Sequence, residues 1–214
     1  MPHLLHLDSS IDPARSRSRA ITAAFVETWR GRSGGHTVTY RDLHARPVPH
    51  LTDAASHWAP RLRRPEDSPP AAESALQTEL IDELLAADVL LIGAPMYNYS
   101  LPSSLKAWID HIHVPGVTAP FDTADQPLAG RPAVIATSRG AVYDAGTPSE
   151  GWDHTVPPLR LVLGSALGMD VTVLETNLTL ADSVPALSDQ QERAAGELAA
   201  ATARARELAL TIAG

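Results

Sequence analysis

Leu90-Leu91-Ile92-Gly93-Ala94-Pro95-Met96-Tyr97-Asn98-Tyr99 is the stretch whose reading decides the fold. An apolar run stops at a proline and gives way to aromatic and amide side chains. It reads as a buried strand, Val89 to Gly93, opening into a binding loop. In an open parallel sheet, ligands sit in the crevice beyond the carboxyl ends of the strands. A flat aromatic ligand is therefore expected at the Met96–Tyr99 loop.

Working outward, Ala71 to Ala87 has helical spacing, with Leu76, Leu80, Leu84 and Leu85 on a stripe, and leads directly into that strand. Downstream, Pro102 begins a further helix on which Leu105, Trp108, Ile109 and Ile112 repeat at helical intervals, while Lys106, Asp110 and His113 face elsewhere. His111 and His113 stand two apart, so on a helix they point away from each other. No carboxylate has the right spacing to join them, and no metal site is expected.

At the start of the chain, Leu4 to Asp8 suits a first parallel strand. It runs into the hydroxyl-rich loop Ser9 to Ser18 and then an amphipathic helix of about Arg19 to Arg30, with Ile21, Ala24, Phe25, Thr28 and Trp29 on one face. Strand, hydroxyl-rich loop and helix start together make an anion site. Helix-start N–H groups have no intrahelical partner, the helix dipole favours negative charge there, and serine hydroxyls add donors without bulk. Ser16 or Ser18 serving merely as a helix cap is the competing reading. Neither G-x-G-x-x-G nor G-x-x-x-x-G-K-[ST] occurs at this loop, so its anion is expected to be a terminal monophosphate rather than a dinucleotide or triphosphate.

His36 to Tyr40 alternates as a second strand. Arg41 to Pro70 is a long proline-punctuated connection carrying Trp58, Arg61, Arg63 and Arg64, open to three readings: a cover over the ligand, a dimer contact or a solvated loop. Gly130 to Ala136 is a further strand, opening into Thr137-Ser138-Arg139-Gly140-Ala141-Val142-Tyr143, where Gly140 lets the backbone come close to a ligand. Trp152 to Leu167 is a helix-period segment interrupted by Pro157-Pro158, and Asp170 to Glu175 is a last strand. Ser188 to Ala213 is an alanine-rich helix with a Ser188/Gln191 capping box. Five strands alternating with about five helices argue an α/β fold: a flavodoxin-like, doubly wound five-stranded parallel sheet with helices on both faces.

The chain of 214 residues shows no linker dividing it, and one domain spanning 1–214 is expected. A net charge of −8 with no basic stripe argues against nucleic-acid binding. Cysteine is absent, which excludes disulfides and thiolate chemistry. The N-terminal residues carry no basic region or long apolar run, and no stretch approaches a membrane span, so a cytoplasmic protein is expected.

These residues resemble the FMN-dependent NADH azoreductases, a branch of the flavodoxin-like quinone reductases. The resemblance runs in order through Leu7-Asp8-Ser9-Ser10-Ile11, Ser16-Arg17-Ser18, Arg41-Asp42-Leu43, Ala94-Pro95-Met96-Tyr97-Asn98-Tyr99 and Thr137-Ser138-Arg139-Gly140. It implies that Ser10, Ser16, Arg17 and Ser18 hold the FMN phosphate. Pro95, Met96, Tyr97, Asn98 and Tyr99 would line the isoalloxazine, with Ser138 and Gly140 on its pyrimidine side. Tyr143 and Asp144 would stand by the substrate pocket, and Phe121 resembles an aromatic that the other subunit of a homodimer lends to it. Three departures are visible: Arg17 where the family often has glutamine, Ala141 where a second glycine is usual, and Asp144 near a family histidine.

The implied activity is two-electron reduction of a quinone or azo compound by NADH or NADPH in a ping-pong cycle. The flavin N5 would carry the chemistry, so no catalytic side chain is expected. Backbone donors near Met96, Asn98 and Gly140 would stabilise the reduced ring. A single-electron flavodoxin carrier, a flavin-free binding protein and a pathway-specific tailoring reductase remain as alternatives.

Overall fold

The computed structural model describes residues 1–212. Strands β1 (His3–Asp8), β2 (Thr37–Asp42), β3 (Val89–Pro95), β4 (Pro132–Ser138) and β5 (Asp170–Thr176) form one parallel sheet in the order β2-β1-β3-β4-β5. Helices α1 (Arg17–Arg30) and α5 (Gln191–Thr211) cover one face. The other is covered by α2 (Ala71–Ala86), α3 (Ser103–Ile112) and α4, which runs as an α-helix over Val156–Leu159 and continues as a π-helix over Arg160–Ala166. The chain builds outward from β1 to β2 and then restarts on the other side with β3. The expected doubly wound order is therefore present, and its switch point lies between β1 and β3.

Alternation along the central strands creates two cores. Val89 and Leu91 of β3 face α1 and α5, where Ile21, Phe25 and Trp29 are fully buried. Leu90 and Ile92 face the opposite way, onto Leu80, Leu84, Leu105, Trp108 and Ile112. Each such large apolar side chain contributes about 1.5–3 kcal/mol by leaving water. At the switch point Gly93 pairs in register with Asp8, and a Cβ on Gly93 would overlap the Asp8 carboxylate. Glycine at 93 is what lets a buried acid stand between β1 and β3.

Several expected boundaries move. Helix α1 begins at Arg17, two residues earlier than the apolar stripe indicates, because Ser16 caps it by accepting a hydrogen bond from the Arg19 N–H at 3.3 Å. Pro157 and Pro158 do not interrupt α4. They occupy its first turn, where a missing N–H leaves no intrahelical bond unmade. The Ser188/Gln191 capping box does not form: Pro185–Gln190 is a 3-10 turn, α5 starts at Gln191, and no side chain caps it. The expected end of that helix at Ala213 lies outside the described residues. Among the described residues no helix is long and apolar enough to cross a membrane.

Candidate functional site

The loops after β1, β3, β4 and β5 meet at the carboxyl end of the sheet around two adjoining hollows. The smaller, about 390 Å³, is lined by Ser10, Ser16, Arg17, Pro95, Ser138 and Asp182 among others. The larger, about 840 Å³, is lined by Asn98, Tyr99, Leu101, Gly140 and Tyr143 among others. Met96, Tyr97, Thr179 and Leu180 border both, so the two form one two-lobed cleft.

The small lobe sits at the start of α1. With Ser16 as cap, the Arg17 and Ser18 N–H groups make no hydrogen bond to another described residue. The lobe thus offers two backbone donors, the positive end of a helix dipole and the Ser16 hydroxyl. Capping and anion binding, set against each other in the sequence, are compatible: Ser16 caps one N–H and leaves the two before it open. Tyr97 locks the lobe to the loop after β3. Its hydroxyl shares a hydrogen bond of 3.0 Å with Ser10 Oγ and accepts the Ile11 N–H at 3.1 Å.

Beneath the lobe lies a buried ionic network that the sequence did not single out. Arg19 donates to both Asp42 oxygens at 2.9 Å and to the Ser10 carbonyl at 2.8 Å, and stands 3.6 Å from Asp8. Burial works against ionisation of Asp42. The Arg19 hydrogen bonds and charge, with the Ala45 and His44 N–H groups, outweigh it and hold the carboxyl at about 2. Burial and the nearby Asp8 and Asp42 charges push the Tyr40 phenol up to about 12. Burial likewise opposes the Arg19 charge, which Asp42 and Asp8 more than restore, so its pKa is raised.

The large lobe is shaped differently. Tyr97 and Ser100 exchange backbone hydrogen bonds of 2.9 and 3.0 Å around Asn98 and Tyr99, both left-handed at φ 49° and 68°. A turn with two positive φ angles favours Asn-Gly, so Tyr99 carries strain. That conformation sets the Tyr99 ring 5.6 Å from Trp152 and 6.4 Å from Tyr143, edge to face. The loop bearing Trp152 is stapled back by the His154 N–H donating to the Tyr99 carbonyl at 2.8 Å. Burial, aided by the nearby Tyr99, raises the Tyr143 phenol against the opposing effect of Arg139, so it stays a hydroxyl donor. Behind this wall Arg139 is buried and donates to Asn177, Asp153, Asp144 and Glu175.

Most of the predicted cofactor residues converge: Ser10, Ser16, Arg17, Pro95, Met96, Tyr97, Asn98, Tyr99, Ser138 and Gly140 all line the cleft. Ser18 stays buried, with its hydroxyl 3.0 Å from Ser16 Oγ, so only its N–H is available. The Arg17 guanidinium is turned to Asp182 at 2.8 Å and to the Ala194 carbonyl at 3.1 Å. The Met96 N–H donates to the Ser138 carbonyl and is consumed there, whereas the Asn98 and Gly140 N–H groups have no partner among the described residues. Ser138 falls at the small lobe rather than the ring end.

Of the predicted substrate residues only Tyr143 lines the cleft. Asp144 is drawn back to Arg139 at 3.2 Å. Phe121 lies outside its own chain's cleft, 60% exposed and packed edge-on against Trp58. Thr179 and Leu180 were missed. Leu180 closes over Gly140, where a Cβ would come within 3.0 Å of it. The rule that flagged the loops after β3 and β4 applies equally to the loop after β5.

The cleft suits a long ligand with an anion at one end and a planar ring at the other. Residues 2–207 match a family model described as flavodoxin-like fold. An FMN-dependent NADH:quinone oxidoreductase of Kineococcus radiotolerans is 60% identical over 212 residues, covering 99% of this chain and 100% of that one. One of the same name from Streptomyces coelicolor is 44% identical over 219 residues, covering 97% and 96%. The solved FMN-dependent NADH-azoreductase of Bacillus anthracis in complex with FMN superposes with a TM-score of 0.77 at 18% identity, over 97% of this chain and 98% of that one, a likeness of fold.

Proposed function

We infer the function from one premise: this chain belongs to the flavodoxin-like fold family, among the FMN-dependent NADH:quinone oxidoreductases. It is an FMN-dependent oxidoreductase that passes two electrons from NADH to quinone or azo acceptors. The observation that carries this reading to particular residues is the two-lobed cleft at the β1/β3 switch point, with an open helix start at one end and an aromatic wall at the other.

In our assignment the Arg17 and Ser18 N–H groups and the Ser16 and Ser10 hydroxyls hold the phosphate. Pro95, Met96, Tyr97, Asn98 and Tyr99 flank the ring, and Gly140 approaches its edge. When bound, FMN would supply hydride chemistry, taking a hydride from the nicotinamide and passing a hydride equivalent to the acceptor, with the remaining proton coming from solvent. The protein's part is positional and electrostatic. The unpartnered Asn98 and Gly140 N–H groups stabilise negative charge on the ring edge, and the Tyr143 hydroxyl orients the acceptor. NADH and acceptor take turns on the same open face, a ping-pong order.

The reading extends to a cytoplasmic homodimer of single-domain chains. The exposed Trp58–Phe121 pair is the aromatic surface by which one protomer roofs the other's cleft. Protein mixed with FMN and freed of excess should retain flavin absorption that bleaches with anaerobic NADH and returns with a quinone. Parallel double-reciprocal plots are expected. Intersecting ones would exclude the ping-pong order, and a stable radical with negligible NADH turnover would point to the single-electron carrier instead.

A further inference from the structure

The small lobe contains negative charge that works against its proposed ligand. Two carboxylates line it, Asp12 and Asp182. Asp12 is pinned in a local turn, accepting from the Ala14 and Arg15 N–H groups at 3.0 and 2.9 Å and from Arg15 Nε at 3.0 Å. Asp182 has no such anchor. Its side chain is 68% exposed, and its one hydrogen-bonded partner among the described residues is Arg17 Nη2, at 2.8 Å.

Arg17 is the fixed member of this pair. Its side chain is 11% exposed, and Nη1 also donates to the Ala194 and Asn177 carbonyls at 3.1 and 3.4 Å. The buried cation stays where it is, while the carboxylate can leave for water at little cost, since exposed ion pairs are worth about 0–1 kcal/mol. A phosphate at the start of α1 enters the same lobe, carries more charge than a carboxylate and makes stronger hydrogen bonds to a guanidinium.

We infer that Asp182 is a resident counter-anion that competes with the phosphate of the flavin nucleotide for Arg17, and so limits how tightly the cofactor is held. This rests on the FMN reading above. The arrangement makes the cofactor exchangeable: an incoming phosphate takes over Arg17, Asp182 swings to solvent, and on release the carboxylate returns.

The test is the dissociation constant of FMN and of riboflavin, which lacks the phosphate, measured by flavin fluorescence quenching. Asp182→Asn should bind FMN about fivefold or more tightly than wild type, with riboflavin unchanged. Asp182→Glu, which keeps the charge, should stay near wild type. In an Arg17→Gln background the gain from Asp182→Asn should shrink, because there is no guanidinium to contest. Thermal unfolding without flavin verifies that each variant is folded.

Unchanged or weaker FMN binding by folded Asp182→Asn overturns the inference. So does an equal gain for riboflavin, which would make the effect one of loop shape, or an undiminished gain beside Arg17→Gln. If wild type does not prefer FMN to riboflavin, the phosphate assignment itself is wrong and the inference falls with it. A wild-type preference without tightening in the variant removes the inference alone.

Discussion

Arg19, mostly buried, and Arg139, more fully buried, lie one beneath each lobe of the cleft, and they differ in what they hold. Arg19 grips the partly buried Asp42 with two equal hydrogen bonds beside a buried acid, Asp8. Arg139 gathers three carboxylates, two from the loop between β4 and α4 and one from β5, of which only Asp153 is well buried, while Asp144 and Glu175 are about half exposed. A charge left behind in a dry place is costly, and one left at the surface rehydrates. The small lobe therefore depends on its arginine for stability. The large lobe depends on its own mainly to hold together the loops that shape it.

Truncation should expose that difference most strongly. Arg19→Ala leaves Asp8 and Asp42 without their cation and the Ser10 carbonyl without its donor, a loss of about 3–5 kcal/mol in urea unfolding. Arg139→Ala should cost less, about 1–3 kcal/mol, because two of its acids return to water and the third, Asp153, keeps the Thr155 and Val156 N–H donors, leaving that carboxylate and the buried Asn177 amide short of one partner each. The comparison breaks if Arg139→Ala proves the more damaging.

Acid sharpens it further. Asp42 ionises at about 2 in the fold, against an ordinary 3.8. A carboxyl depressed by folding contributes stability that is complete above its unfolded value and is lost as pH falls through the folded one. About 2 kcal/mol should therefore disappear between roughly pH 4 and pH 2. Unfolding midpoints of wild type should fall across that window, and those of Asp42→Asn, lower at neutral pH, should fall less. A parallel decline in the two proteins would mean that another group carries the acid sensitivity.

Sequence made the frame legible because the frame is written in periodicity. Short apolar runs gave the strands, helical stripes gave α2 and α3, and loops of small or aromatic residues at strand ends gave most of the cleft. What escaped were relations between distant residues. Arg19 looks like any helix-face arginine until β2 brings Asp42 under it. Arg139 sits inside a recognised motif, yet its partners lie further along its own loop, at 144 and 153, and on and after β5, at 175 and 177. Phe121 could be noticed by type but not placed, since its contact with Trp58 closes a long loop that no periodicity constrains. The Ser188/Gln191 pair failed for the opposite reason: the local spacing was right, but Pro185 sets a 3-10 turn that occupies the residues a cap needs.

The smallest effect is also the cleanest, because it involves no charge. Tyr99 is held at φ 68° in a turn that suits glycine, and a side-chain-bearing residue in that region costs about 1–2 kcal/mol. Tyr99→Ala and Tyr99→Gly both remove the ring and its contacts with Tyr143 and Trp152, but only glycine relieves the backbone. The glycine variant should exceed the alanine variant by about 1 kcal/mol, less than the full strain because glycine also loosens the unfolded chain. Added salt should leave that gap unchanged while it alters the cost of Arg19→Ala. Equal stability of the two Tyr99 variants would show that the turn is unstrained. In that case the His154 N–H bond to the Tyr99 carbonyl, rather than backbone conformation, holds the aromatic wall in place.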